Sequence, residues 1–116
     1  DMIGGETYVK KIPSMKVLDI AKTVNSKCKI IFTGVRPGEK IHEQMIGKED
    51  ALNTFEYKDF FKIIPTTLNK LKKPYIKNGK KVAKNFIYNS NLNTKWMSSS
   101  ELKKWIKQNH SKLLKI

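Results

Sequence analysis

The hydrophobic pattern changes period several times along the chain, and each change marks an element. After the Gly4-Gly5 turn, Glu6 to Lys10 has strand composition, with Tyr8 and Val9 at its centre. Pro13 keeps Ile12 extended. Ser14 then stands where an N-cap belongs, ahead of a helix from Met15 to about Val24. Val17, Leu18, Ala21 and Val24 recur at helical spacing, and Asn25-Ser26 stops the run. Lys29 to Thr33, "KIIFT", is short and β-branched and reads as a second strand. A loop from Gly34 to Glu39 follows. Ile41 to Ile46 reads as a short helix closed by Gly47, and Lys48 to Leu52 as one further helical turn.

Beyond this point the period is two. Asn53–Tyr57 and Phe60–Ile64 flank Lys58-Asp59 as a hairpin would, and Pro65 ends the run. Thr66 to Lys84 is rich in lysine and asparagine and poor in apolar residues. It reads as a basic, partly mobile connector. Asn85 to Asn93 is extended with turn chemistry. Ser98 followed three residues later by Glu101 is a capping-box signature. The helix it starts runs to about Asn109 or beyond, with Leu102, Trp105, Ile106 and Leu113 on one side. The order βαβα, a hairpin and a long helix indicates a small α/β domain. It divides into a core over 1–65, a connector over 66–84 and a C-terminal extended segment and helix over 85–116.

With 116 residues, 39% of them apolar, the chain can bury a modest core. Its formal charge is 24 − 10 = +14, which by itself suggests an anionic partner. The basic residues are 23 lysines and one arginine, however. Nucleic-acid readers rely on arginine for bidentate contacts, so most of these lysines read as a solvated face. Cys28 is the single cysteine, which rules out an internal disulfide and any cysteine-built metal site. A lone thiol suits a reducing compartment, and the expected location is cytoplasmic. No apolar run approaches the roughly 20 residues of a membrane span.

The solitary arginine lies in "VRPGEKIHE", Val35 to Glu43. Pro37 and Gly38 suit the second and third positions of a type II turn, which brings Arg36 and Glu39 side by side. A guanidinium clamps phosphate oxygens with a planar fork. A carboxylate accepts hydrogen bonds from sugar hydroxyls, so the pair suits a nucleotide. An Arg36–Glu39 surface ion pair, worth under about 1 kcal/mol, fits the spacing equally. Lys40 adds charge beside a phosphate or is simply solvated. His42 and Glu43 fit packing and polar satisfaction on the expected short helix, and His110 offsets a helix C-terminus. Trp96 and Trp105 fill a core or cover a neighbouring lobe.

The stretches "GGETYVKKIPSMKVLDIA" and "GVRPGEKIHEQMI" resemble one family, as do "EDALNTFEYKDFFKIIP" and "YNSNLNTKWMSSSELKKWI". These are the UDP-N-acetylglucosamine 4,6-dehydratases, extended short-chain dehydrogenase/reductase enzymes of surface-glycan synthesis. The likeness is to the 5-inverting type that opens pseudaminic acid synthesis. The resemblance covers roughly Gly4 to Pro65 and Phe86 to Ile106. It implies that Arg36 contacts the diphosphate of UDP-N-acetylglucosamine, that Glu39 contacts the ribose, and that Lys40 stands near the phosphates. It also implies a whole enzyme that uses NADP to oxidise C4, lose water across C5 and C6, and return the hydride to C6. This chain has neither the G-x-G-x-x-G of a dinucleotide site nor a tyrosine followed four residues later by lysine. It therefore reads as a C-terminal substrate-binding lobe lacking the Rossmann domain, with no catalytic, cofactor or metal residues of its own. Its expected partners are UDP-N-acetylglucosamine, an N-terminal Rossmann domain and a second copy in a homo-oligomer. The alternatives are a basic nucleic-acid-binding module and an assembly element of a split enzyme.

Overall fold

A computed structural model describes residues 2–67 and 75–113; within the latter range, the Leu113 side chain is outside the description. Residues 68–74, part of the expected connector, lie outside the described residues. The chain forms two units. Unit 1 comprises Asp1–Ile12 and His42–Leu92, and unit 2 comprises Pro13–Ile41 and Asn93–Ile116.

Unit 1 is built on a four-stranded antiparallel sheet. Its strands are β1 (Thr7–Lys10), β3 (Thr54–Glu56), β4 (Phe60–Ile63) and β5 (Lys80–Lys81), in the order β1-β4-β3-β5. The expected hairpin is β3–β4, with Glu56 opposite Phe61 and Thr54 opposite Ile63. The sheet buries apolar residues on both faces, because successive side chains point opposite ways. Val9 lies opposite Phe61 on one face, in a cluster with Ile46 and Tyr88. Phe55 on the other face joins Ile64 and Tyr75. Within 66–84, then, Tyr75 lies in a core cluster and Lys80–Lys81 in the sheet.

Three polar residues are buried in unit 1 with partners: Thr54, whose hydroxyl donates to the Asp50 carbonyl at 2.7 Å, Glu6 and Lys62. Glu6 accepts backbone N–H bonds from Ile3 at 2.6 Å and Gly4 at 2.7 Å. Lys62 donates to the Tyr75 carbonyl at 3.0 Å, and its ammonium lies over the rings of Tyr8 and Tyr57. Cation–π contact and a full hydrogen bond offset the desolvation of that charge.

A short ribbon completes the unit: β2 (Gln44–Ile46) pairs with β6 (Tyr88–Asn89). The helix expected over Ile41–Ile46 is therefore a strand. Gln44 faces Asn89 and Ile46 faces Tyr88, so two steps on β2 match one on β6, as in a bulge. Ile46 enters the core while Met45 stays outside. The helical turn expected next is present as α2 (Lys48–Ala51).

Unit 2 contains α1 (Val17–Val24) and α3 (Ser99–Leu113), which lie against one another. The capping box forms as its sequence signature requires. Ser98 N–H donates to Glu101 Oε2 at 2.7 Å, and Glu101 N–H donates to Ser98 Oγ at 3.3 Å. Ser14, by contrast, does not cap α1. The cap position is Lys16, with no side-chain hydrogen bond. Ser14 is instead buried in an isolated parallel bridge to Trp96, and its hydroxyl accepts from Asn93 Nδ2 at 3.1 Å. The strand expected over Lys29–Thr33 does not form: those residues pair with no described neighbour. All named strands lie in unit 1, while unit 2 holds two helices and one isolated bridge; taken together, the described elements are those of an α/β fragment.

Candidate functional site

The loop after residue 33 folds through two glycines with positive φ, Gly34 at 82° and Gly38 at 85°. The second completes the turn set up by Pro37. The Glu39 N–H donates to the Arg36 carbonyl at 3.1 Å, and φ at Gly38 has the value that the third position of a type II turn requires. The Glu39 side chain then folds back, and its Oε2 accepts from the Arg36 backbone N–H at 2.9 Å. Residues 36 and 39 thus hold one another twice, through main chain and side chain.

The side-chain ion pair that the spacing allows is not formed. Glu39 binds the backbone of Arg36, and no described carboxylate lies within ion-pair distance of the guanidinium; the ion pair present among the described residues is Lys11–Glu56. Oε1 of Glu39 likewise has no described partner. The turn therefore presents a guanidinium and a carboxylate oxygen without a side-chain partner among the described residues, and the ammonium of Lys40, within five residues, all exposed to solvent. A guanidinium so placed can take two phosphate oxygens, and the free carboxylate oxygen can accept from a hydroxyl.

His42 and Glu43 belong to the same sequence motif but to unit 1. Glu43 is fixed by its main chain: its N–H donates to Ser90 Oγ at 3.1 Å, and its carbonyl accepts from Ser90 N–H at 2.9 Å. Both side chains are exposed. The helix assigned to them in the sequence is absent, and both residues precede β2, which begins at Gln44. Gly34 is the residue the sequence reading passed over. A single glycine directly after a β-branched run signals a backbone reversal, and here it supplies one.

The positive-φ glycines at 4, 5, 34 and 38 lack the spacing of a pyrophosphate-binding turn, and no three His, Cys, Asp or Glu side chains among the described residues gather as a metal site.

Comparison with known proteins adds a second line. Residues 1–65 match the family described as polysaccharide biosynthesis protein. A UDP-N-acetylglucosamine 4,6-dehydratase (inverting) from Campylobacter jejuni is 35% identical over 111 residues, which cover 87% of this chain and 32% of that protein. A UDP-glucose 4-epimerase from Rickettsia rickettsii is 32% identical over 105 residues, covering 85% of this chain and 30% of the epimerase. The crystal structure titled "X-ray structure of Pen from Bacillus thuringiensis" superimposes with a TM-score of 0.72 at 28% identity, over 92% of this chain and 32% of that one. The chain spans about a third of the length of the relatives it matches.

Proposed function

The chain belongs to the polysaccharide biosynthesis protein family, and from that premise we propose that it is the UDP-sugar-binding part of a 5-inverting UDP-N-acetylglucosamine 4,6-dehydratase. Arg36 clamps the diphosphate, the free oxygen of Glu39 accepts from a ribose hydroxyl, and Lys40 adds positive charge beside the phosphates. The observation that supports this reading most is the Arg36–Glu39 clamp. It spends one carboxylate oxygen on the backbone and so leaves the guanidinium available to a ligand. A surface ion pair would have consumed both groups. The Campylobacter jejuni and Rickettsia rickettsii relatives carry names of enzymes that act on UDP-sugars.

In this reading the chain binds and orients. Holding the nucleotide at a fixed point raises the effective molarity of the sugar at a reacting centre built elsewhere. NADP belongs to the whole enzyme, since no residue pattern here fits it, and this chain alone turns nothing over. A cytoplasmic location and a place in pseudaminic acid synthesis follow from the same assignment.

The test is a UDP titration followed through backbone amide shifts of the 116-residue chain. It is repeated in a chimera where this chain replaces the matched third of the Campylobacter jejuni relative. Saturable shifts at 34–40 are expected, and Arg36→Ala should weaken binding by about 1–3 kcal/mol, the range for losing a bond to a charged group. Equal affinity in the variant, or no saturable shift in the chimera, would overturn the assignment.

A further inference from the structure

The described apolar residues of unit 2 are covered only in part. Among the described residues every buried hydrophobic side chain lies in unit 1, while unit 2 buries only Ser14. Ile31 is 73% exposed, Phe32 79%, Val35 62% and Ile41 79%. Single exposed apolar residues are ordinary; a unit with no buried one is not.

The segment Lys29–Thr33 adds a second demand. Its sequence is that of a strand, yet its backbone hydrogen-bonds to no described residue. Neighbouring side chains of a strand point to opposite faces, so Ile31 and Phe32 would be apolar on both. A strand of that kind belongs inside a covered sheet. The occupant of this surface must therefore supply apolar contact and backbone donors and acceptors together. A bilayer cannot give the second, and a nucleic acid offers no apolar cover for both faces of a strand.

We propose that Lys29–Thr33 is a strand that forms by adding to a sheet edge in the part of the family's full-length protein with no counterpart in this chain, with Ile31 and Phe32 packing on its two sides. The relatives are about three times the length of the matched region, so such a part exists in each of them. The added strand ends at Gly34, whose positive φ turns the chain out of the ladder and into the Arg36 turn. Docking thereby sets the candidate nucleotide site at the rim of the seam. This inference rests on family membership and not on which ligand Arg36 takes.

Hydrogen exchange on the free chain and on the chimera tests it. In the chimera the amides of 29–33 should exchange at least about tenfold more slowly than in the free chain, as expected when open backbone joins a stable ladder. The double variant Ile31→Asp with Phe32→Asp should restore fast exchange there, while β1 and β4 amides remain as slow as before. Because both side chains are exposed in the free chain, the variant leaves its circular dichroism unchanged. Fast exchange of 29–33 in the chimera would overturn the proposal. So would protection already present in the free chain at high concentration, which would mean that a second copy fills the edge. Arg36→Ala separates the two readings: it should weaken UDP binding as stated above and leave the exchange pattern intact.

Discussion

Arg36 and Glu39 are joined by two antiparallel hydrogen bonds, Glu39 N–H to the Arg36 carbonyl at 3.1 Å and Arg36 N–H to Glu39 Oε2 at 2.9 Å. The pairing works only while Gly38, between them, holds φ at 85°. That angle is open to glycine and strained for residues with a Cβ.

Gly38→Ala therefore isolates strain. A Cβ at this position would meet no atom within 4 Å, so crowding adds nothing. The left-handed angle costs alanine about 1–2 kcal/mol, which opens the turn and should weaken UDP binding about 5- to 30-fold in the chimera. Gly38→Asn should lose less, because asparagine tolerates that region. If both variants bind as the parent does, the turn does not organise the site.

How much of this could be read from sequence depended on how far apart the partners lie. The β3–β4 hairpin and the Ser98–Glu101 box are local, and their residues announce them within a few positions. The Pro37-Gly38 turn is legible for the same reason. The strand at Gln44–Ile46 is not, because it exists through pairing with β6, and the Glu43–Ser90 contacts beside it span 47 residues. In isolation, Ile41, Met45 and Ile46 fit a helical face as well as anything else. Ser14 has the composition of a cap, but its hydroxyl is engaged by Asn93, 79 residues away, so the helix starts later without it. Lys29–Thr33 failed in the opposite sense: its composition is that of a strand, and the described residues lack an edge for it.

Glu6 makes a prediction about acid. Burial pushes its carboxyl up, but the backbone N–H bonds around it, including those from Ile3 and Gly4, together with the Lys62 charge, outweigh that and hold it below its ordinary 4.5. A carboxyl depressed in the folded state contributes stability that is present above about pH 4.5 and lost as pH falls through the folded value. Glu6→Gln should flatten the fall in stability below pH 5 relative to the parent, read as urea midpoint against pH. An unchanged slope would mean that Glu6 binds protons alike in both states.

The same unit gives the largest expected loss. Phe61 is buried against Val9, Ile46 and Tyr88, its ring lies tilted at centroid distances of 5.1–5.2 Å from those of Tyr88 and Phe86, and it sits beneath the Lys11 ammonium. Removing it leaves a cavity that strands β1 and β4 cannot close. Phe61→Ala should cost about 3–5 kcal/mol in chemical denaturation of unit 1, and Phe61→Leu distinctly less.

The cap of α3 tests unit 2 separately. Ser98 and Glu101 satisfy one another's N–H groups, and the same contacts hold the Glu101 carboxyl below its usual range. Ser98→Ala removes one acceptor and should lower the stability of the helix by about 1 kcal/mol, while Ser98→Asp should keep most of it. Helicity at 222 nm and exchange of the amides at 99–102 report this locally. No described apolar side chain of unit 2 is fully buried, so loss of the cap should spread along α3 rather than stay in its first turn. If only the first-turn amides speed up, α3 is held by its packing on α1 more firmly than the exposure of both helices implies, and unit 2 is stable without a docking partner.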